Sequence, residues 1–226
     1  MNLKIKNALI SVSNKENLVS LLKTLKKFNI NIISSGGTYA SIRKLGYQCT
    51  ELSKYTGFKE MLDGRVKTLH PKIFASILYN RQIKRHADTF KNLNFPKIDF
   101  VIVNFYPFSK ISNKEDSSKK IEMIDIGGPA IIRSASKNFE SVTTICEKKN
   151  YGSLIKELNN NHGKTTLTFR KRMAEQNFKL TSYYDSLIFK WFNQNRKKKK
   201  TTNKIKIKYG ENPNQKAFFI KKTNSN

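Results

Sequence analysis

The segment Gly64-Arg65-Val66-Lys67-Thr68-Leu69-His70-Pro71 sets a guanidinium, an ammonium, a hydroxyl and an imidazole in a stretch that core periodicity does not explain. Gly64 frees the backbone at one end and Pro71 fixes it at the other, so the groups between can hold set directions. Such groups suit an anionic ligand, although the octapeptide alone also fits a solvated basic turn. Ser11-Val12-Ser13-Asn14-Lys15 and Ser35-Gly36-Gly37-Thr38 add hydroxyls, backbone N–H groups and an ammonium at two predicted strand-to-helix turns. That is phosphate-site chemistry, with helix capping as the competing reading. Neither turn matches GxxxxGK[ST] or GxGxxG, which disfavours a nucleoside triphosphate or a dinucleotide.

Two further segments carry groups for proton transfer. Asn104-Phe105-Tyr106-Pro107-Phe108 brings an amide and a phenol; the phenol either donates to a developing oxyanion or is an interior aromatic with a satisfied hydroxyl. Asp125-Ile126-Gly127-Gly128-Pro129 sets a carboxylate before a Gly-Gly turn, where it serves as a base or as a helix cap. His70, His86 and His162 are too scattered for a metal triad, and Cys49 and Cys146 have no CxxC spacing, so neither a metal site nor a disulfide framework is expected.

The elements that must position these groups are legible from periodicity. Asn7 to Ser13 and Asn29 to Ser34 read as buried strands. Helices follow each, the first with Leu18, Leu21, Leu22, Leu25 and Phe28 on one face, the second running to Leu45. Asp99 to Asn104 and Ser141 to Cys146 are near-continuous apolar runs of the parallel, doubly buried kind. Pro129 suits the first position of a further helix, and Thr165 to about Asn195 reads as helix that closes the domain. The alternation predicts a doubly wound α/β, mostly parallel sheet with C-terminal helices, its ligands at the carboxyl ends of the strands. The expected organisation is a domain over 1–195, a basic linker over 196–204 and a further segment over 205–226.

Lys and Arg number 44 against 16 Asp and Glu, a formal net charge of +28. The lysines are spread among many Asn and Ile, and the basic run from Arg196 to Asn203 has no interleaved aromatics. This argues against specific nucleic-acid binding as the main role. With no signal-peptide core or membrane-spanning apolar stretch, a cytoplasmic protein is expected, with no membrane partner.

Taken in order and spacing, SVSNK, SSGGT, GRVKTLHP, NFYPF and IDIGGPAIIRSASKN resemble the IMP cyclohydrolase domain of the bifunctional AICAR transformylase/IMP cyclohydrolase family, over roughly Ala8 to Phe192. GRVKTLHP and IDIGGP are specific to that family, whereas SGGT belongs more broadly to methylglyoxal-synthase-like (MGS-like) domains, which share the α/β fold. The resemblance implies closure of the purine ring of FAICAR to give IMP and water, with no cofactor and no metal. It implies that Ser11, Lys15, Ser35, Gly37 and Thr38 hold the phosphate, and that Arg65 and Thr68 support the substrate. Asn104 and the backbone of Ile126, Gly127 and Gly128 would contact the base, and Lys67, Tyr106, Asp125 and Lys137 match the catalytic positions. If a regular helix runs from Pro129 through Lys137, Lys137 lies on the order of 12 Å from the Gly-Gly turn.

Asn14 stands where the family commonly has Asp, and Phe139 where His or Tyr is usual. Ile207-Lys208-Tyr209-Gly210-Glu211-Asn212-Pro213-Asn214-Gln215 resembles the opening of the transformylase domain, with Lys208 for Arg and Asn214 for His. The rest of that domain is not in the sequence, so no transformylase activity is expected of this chain alone. The partners implied are a second copy of the chain or a separately encoded transformylase. The alternative is a non-catalytic, phosphate-sensing MGS-like domain, which would need neither Lys67 nor Asp125.

Overall fold

β1 (Leu3–Lys4) leads into β2 (Asn7–Val12), α1 (Leu18–Lys27), β3 (Asn31–Ser34), α2 (Gly36–Lys44) and β4 (Thr50–Glu51). α3 (Leu52–Thr56), α4 (Pro71–Leu78) and α5 (Lys84–Asn92) follow, then β5 (Phe100–Asn104), α6 (Ser117–Glu122), α7 (Gly127–Lys137) and β6 (Thr143–Ile145). α8 (Tyr151–Asn160), β7 (Lys164–Thr165), α9 (Leu167–Lys197), β8 (Lys204–Ile207) and β9 (Ala217–Ile220) complete the order. The computed structural model describes residues 2–108, 116–197, 204–207 and 217–220, with side chains described through residue 193.

Five strands form a parallel sheet in the order β4-β3-β2-β5-β6. β2 is central, pairing Leu9 with Ile33 on one side and with Val101 on the other. The chain winds outward from β2 to β4, then returns to lay β5 against the other side of β2. The strand order therefore reverses between β2 and β5, and a crevice opens outside their carboxyl ends, where open α/β sheets bind ligands.

Alternation along the strands divides the core into two layers. Ala8, Ile10 and Val12 of β2 pack with Phe100 and Ile102 against α1, α8 and the start of α9. Leu9, Ile33, Val101 and Val103 face the opposite way, against α3, α4 and α7 through Leu52, Ile73, Ile77, Ile131 and Ile132. A period-two strand with both faces apolar needs helices on both sides, which gives the doubly wound layering.

The expected strands and helices form near their expected bounds, with three differences that bear on the site. α1 begins only at Leu18, after Asn17 in the left-handed region (φ 62°), so Ser11 and Val12 end β2 and Ser13 to Lys15 form a loop ahead of the helix rather than its first turn. Thr165 belongs to β7, which pairs antiparallel with β1 as a separate two-stranded sheet. α9 includes Arg196 and Lys197, the first residues of the expected linker. The chain divides into two compact units, Met1–Tyr184 and Asp185–Asn226; the second contains the antiparallel hairpin of β8 and β9. The remaining linker residues 198–203 and the motif residues 208–215 lie outside the described residues. Among the described residues, no helix is long and apolar enough to cross a membrane.

Candidate active site

The turn from β3 into α2 builds an anion seat. Gly36 has φ +52°, a conformation that favours glycine, and Tyr39 N–H is the first to take an acceptor in the turn, the Ser35 carbonyl. The N–H groups of Gly36, Gly37 and Thr38 thus head the helix without intrahelical acceptors. Two ammonium groups lie over them: a Cβ built on Gly36 would stand 3.8 Å from Lys67 Nζ, and one on Gly37 3.9 Å from Lys15 Nζ. Ser35 Oγ is buried with no hydrogen-bond partner. A leftover buried hydroxyl beside a helix N-terminus and two cations is an arrangement that an oxyanion would complete.

Thr38 corrects the expectation for its hydroxyl. Thr38 Oγ1 donates to the Val12 carbonyl and accepts from the Val12 N–H, both at 3.0 Å, so it clamps α2 to the end of β2 and only its backbone remains for a ligand. The Ser13 loop differs likewise. Asn104 Oδ1 accepts from Ser13 N–H at 2.7 Å, Ser13 Oγ at 2.9 Å and Asn14 N–H at 3.2 Å, so these donors are already used within the protein. Asn104, expected to face a base, instead braces the loop that carries Lys15.

The second part of the site gathers on the turn before α7. Asp125 Oδ1 accepts from the Gly128 N–H at 2.8 Å, so the carboxylate does cap the helix. Burial raises the Asp125 pKa, while the Gly128 N–H, the Lys67 ammonium and the Tyr106 N–H act in the opposite direction. The Tyr106 N–H thus bonds the Asp125 carboxylate directly, and the Lys67 ammonium lies within its electrostatic reach. A Cβ on Gly128 would overlap Asp125 Oδ2, and one on Gly127 would come within 2.5 Å of Thr68 Oγ1. Both glycines therefore permit close packing of the Asp125 carboxylate and of the GRVKTLHP loop onto the helix start. His70 caps α4, its Nδ1 accepting from Lys72 N–H at 3.1 Å, with Pro71 as the first helical residue.

Other expected residues are more exposed, or lie toward the ends of their elements. Arg65 is ion-paired with Glu122 of α6, both side chains more than half exposed. Ile126 is 62% exposed at the cap of α7. Lys137 is the last residue of that helix, ten residues beyond Gly127. At about 1.5 Å per residue its Cα lies on the order of 15 Å from the Gly-Gly turn. Ser11 ends at the rim, in register with Val103, with a half-buried side chain. None of these residues lines the cavity of about 620 Å³ bounded by Lys149, Gln176, Lys179 and Tyr183. The direction of its groups, rather than enclosure, defines the site.

Tyr184, within the helix expected to close the domain, makes a contact that sequence reasoning does not assign. Its hydroxyl accepts from Asp125 N–H at 2.8 Å across 59 residues of sequence. Its position on α9, beside the exposed Tyr183 and among other aromatics, offers no local signal for that bond.

Residues 17–130 match the MGS-like domain family, and residues 135–226 match the AICARFT/IMPCHase bienzyme family. The bifunctional purine biosynthesis protein PurH of Clostridium acetobutylicum is 41% identical over 220 residues, covering 95% of this chain and 44% of that protein. The PurH of Caldicellulosiruptor bescii is 42% identical over 226 residues, covering 96% of this chain and 44% of the relative. The chain thus spans about half the length of the curated relatives it matches. The crystal structure of ForH superposes with a TM-score of 0.75 at 28% identity, covering 83% of this chain and 97% of that one. With both family matches in sequence along one chain, and relatives aligned across nearly all of it, the chain belongs to the AICARFT/IMPCHase bienzyme family and carries its MGS-like domain.

Proposed function

We propose that this chain is an IMP cyclohydrolase that closes the six-membered ring of FAICAR, and that it works in the cytoplasm without metal or cofactor. The observation that carries the reading is the position of Lys67, whose ammonium lies over the Gly36 turn and within electrostatic reach of the Asp125 carboxylate. One side chain thereby links a phosphate seat to a proton-transfer site, as a nucleotide substrate requires.

In the reaction, the carboxamide nitrogen attacks the formamido carbon and forms the ring C–N bond. The carbonyl oxygen becomes a hydroxyl and then leaves as water. One proton comes from the carboxamide nitrogen and one from the formamido nitrogen, and both depart with the oxygen, so no external reagent is consumed. Nucleophile and electrophile share one molecule, so the protein need only hold the attack geometry and move protons. Asp125 takes the proton from the carboxamide nitrogen; its raised pKa makes it a stronger base than an ordinary solvated carboxylate. Lys67 and the Tyr106 hydroxyl donate to the oxygen as it gains charge and leaves. Lys15, Ser35 and the N–H groups of Gly36, Gly37 and Thr38 hold the phosphate, with Ser11 beside them at the strand end. Thr68, Arg65 and the Ile126 to Gly128 backbone line the substrate. Lys137 and Asn104 contribute through a distant part of the nucleotide and through the Ser13 loop, respectively. A second copy or a separate transformylase is the partner consistent with this reading.

The test is formation of IMP from purified FAICAR, followed by absorbance, against Lys67→Ala and the spontaneous rate. Turnover by the parent that the variant loses supports the proposal. A folded, IMP-binding parent that leaves the spontaneous rate unchanged overturns it.

A further inference from the structure

Two loops bring the groups assigned above to ring closure: residues 123–126 carry Asp125, and residues 105–108 carry Tyr106. Tyr184 of α9 touches both. Its hydroxyl accepts from the Asp125 N–H at 2.8 Å and reaches the Met123 carbonyl at 3.4 Å. Its ring lies 5.1 Å from that of Phe105 and 6.4 Å from that of Phe108, the aromatic residues on either side of Tyr106. The side chain is 5% exposed, so water cannot readily replace these bonds. We infer that Tyr184 is a positioning residue, whose hydroxyl fixes the Asp125 backbone while its ring holds the Tyr106 loop, setting the carboxylate and phenol at a working separation.

The geometry gives the inference its content. The carboxylate itself is held on its far side by the Gly128 N–H at 2.8 Å, so Asp125 is pinned through its side chain to α7 and through its backbone to α9. The Tyr106 N–H bonds the same carboxylate, so loss of the backbone anchor displaces the carboxylate and the Tyr106 loop together. Catalysis by a placed base is sensitive to displacements of about 1 Å, so loss of one anchor should lower the rate of the chemical step without altering the phosphate seat at Ser35 to Thr38. A residue that merely filled the core would show the opposite pattern, with stability and substrate affinity falling together.

The mechanistic half of this inference rests on the cyclohydrolase reading; its structural half does not. The experiment compares the 226-residue chain with Tyr184→Phe, which keeps the ring and removes the hydroxyl, and with Tyr183→Phe as a control on the same helix. Amide hydrogen exchange at Asp125 and steady-state FAICAR turnover are read in parallel. In Tyr184→Phe, exchange at Asp125 should accelerate about tenfold and kcat fall about tenfold, with KM within about twofold. Tyr183→Phe should leave both readouts unchanged. Unchanged exchange at Asp125 in Tyr184→Phe overturns the inference, as does an Asp125 amide in the parent that exchanges as freely as an open loop. Faster exchange with unaltered kcat in an active enzyme, or a change confined to KM, overturns the positioning role. A parent that does not turn over FAICAR removes the cyclohydrolase reading, and the exchange arm alone then decides whether the hydroxyl holds the loop.

Discussion

At the amino end of the sheet, Asp99 is fully buried, and its Oδ2 accepts from the Lys6 and Asn7 N–H groups at 2.8 and 2.9 Å. Its Oδ1 faces Arg81 Nη1 at 2.8 Å, an electrostatic pair rather than a well-directed hydrogen bond. Nearby, Arg170 donates to the carbonyls of Phe139, Thr165 and Glu140. At the carboxyl end, by contrast, Ser35 Oγ is buried without a partner, three helix N–H groups point outward, and two ammonium groups lean over a Gly-Gly turn. The amino end takes charged groups out of water, whereas of these groups at the carboxyl end only the Ser35 hydroxyl is buried, Lys67 being half-buried and Lys15 exposed. One end directs its groups at its own backbone and so fixes the strands' termini; the other leaves its groups directed at a space. The difference teaches that burial of charge does not by itself mark a binding site; the convergence of cations, helix N–H groups and a leftover hydroxyl on one open turn does.

Substitution can break this contrast from either side. The largest effect belongs to the amino end: Asp99→Ala leaves Arg81 and two backbone donors uncompensated and should cost about 3–5 kcal/mol in denaturant unfolding. At the carboxyl end, Lys67→Ala should instead lower kcat by about 10²–10³-fold while shifting stability by no more than about 0.5 kcal/mol. A loss of stability there comparable to that of Asp99→Ala would erase the distinction. Gly128→Ala sharpens the comparison, because its Cβ must displace the Asp125 carboxylate. Turnover should fall at least about tenfold, with about 1–3 kcal/mol lost in thermal unfolding. Ser35→Ala is the mildest: its hydroxyl makes no cap bond, so stability should hold within about 0.5 kcal/mol while calorimetry shows IMP binding weakened about fivefold.

The layered sheet was legible because each of its main strands is a local apolar run and α1 shows its buried face within ten residues. β4, at two residues, and the β1–β7 pair are too short for periodicity to register. In the site, the Gly-Gly turns and the Asp125 cap could be read because their partners lie within a few residues. The direction of the Asn104 amide could not, since it is set by Ser13, 91 residues away. Nor could the tie from Tyr184 to Asp125, which exists only once α9 lies against the sheet. Thr38 shows the remaining kind of failure: a hydroxyl in a phosphate-like motif reads as ligand-facing until the strand beside it claims both its donor and its acceptor.

Asp125 carries the central claim, since its pKa is raised chiefly by burial and it would be the base. A carboxyl with a pKa above its unfolded value of about 3.9 contributes stability in its protonated form, present below that pH and lost as pH rises through the folded-state value. At neutral pH its charge is therefore a cost, which Asp125→Asn removes while keeping an oxygen for the Gly128 N–H. The most direct measurement is FAICAR turnover by Asp125→Asn, taken with its thermal unfolding from neutral pH down to about pH 3.5. The account predicts kcat lower by at least about 10²-fold in a chain as stable as the parent or more so at neutral pH, with any gain disappearing in acid. Turnover equal to the parent's would contradict it.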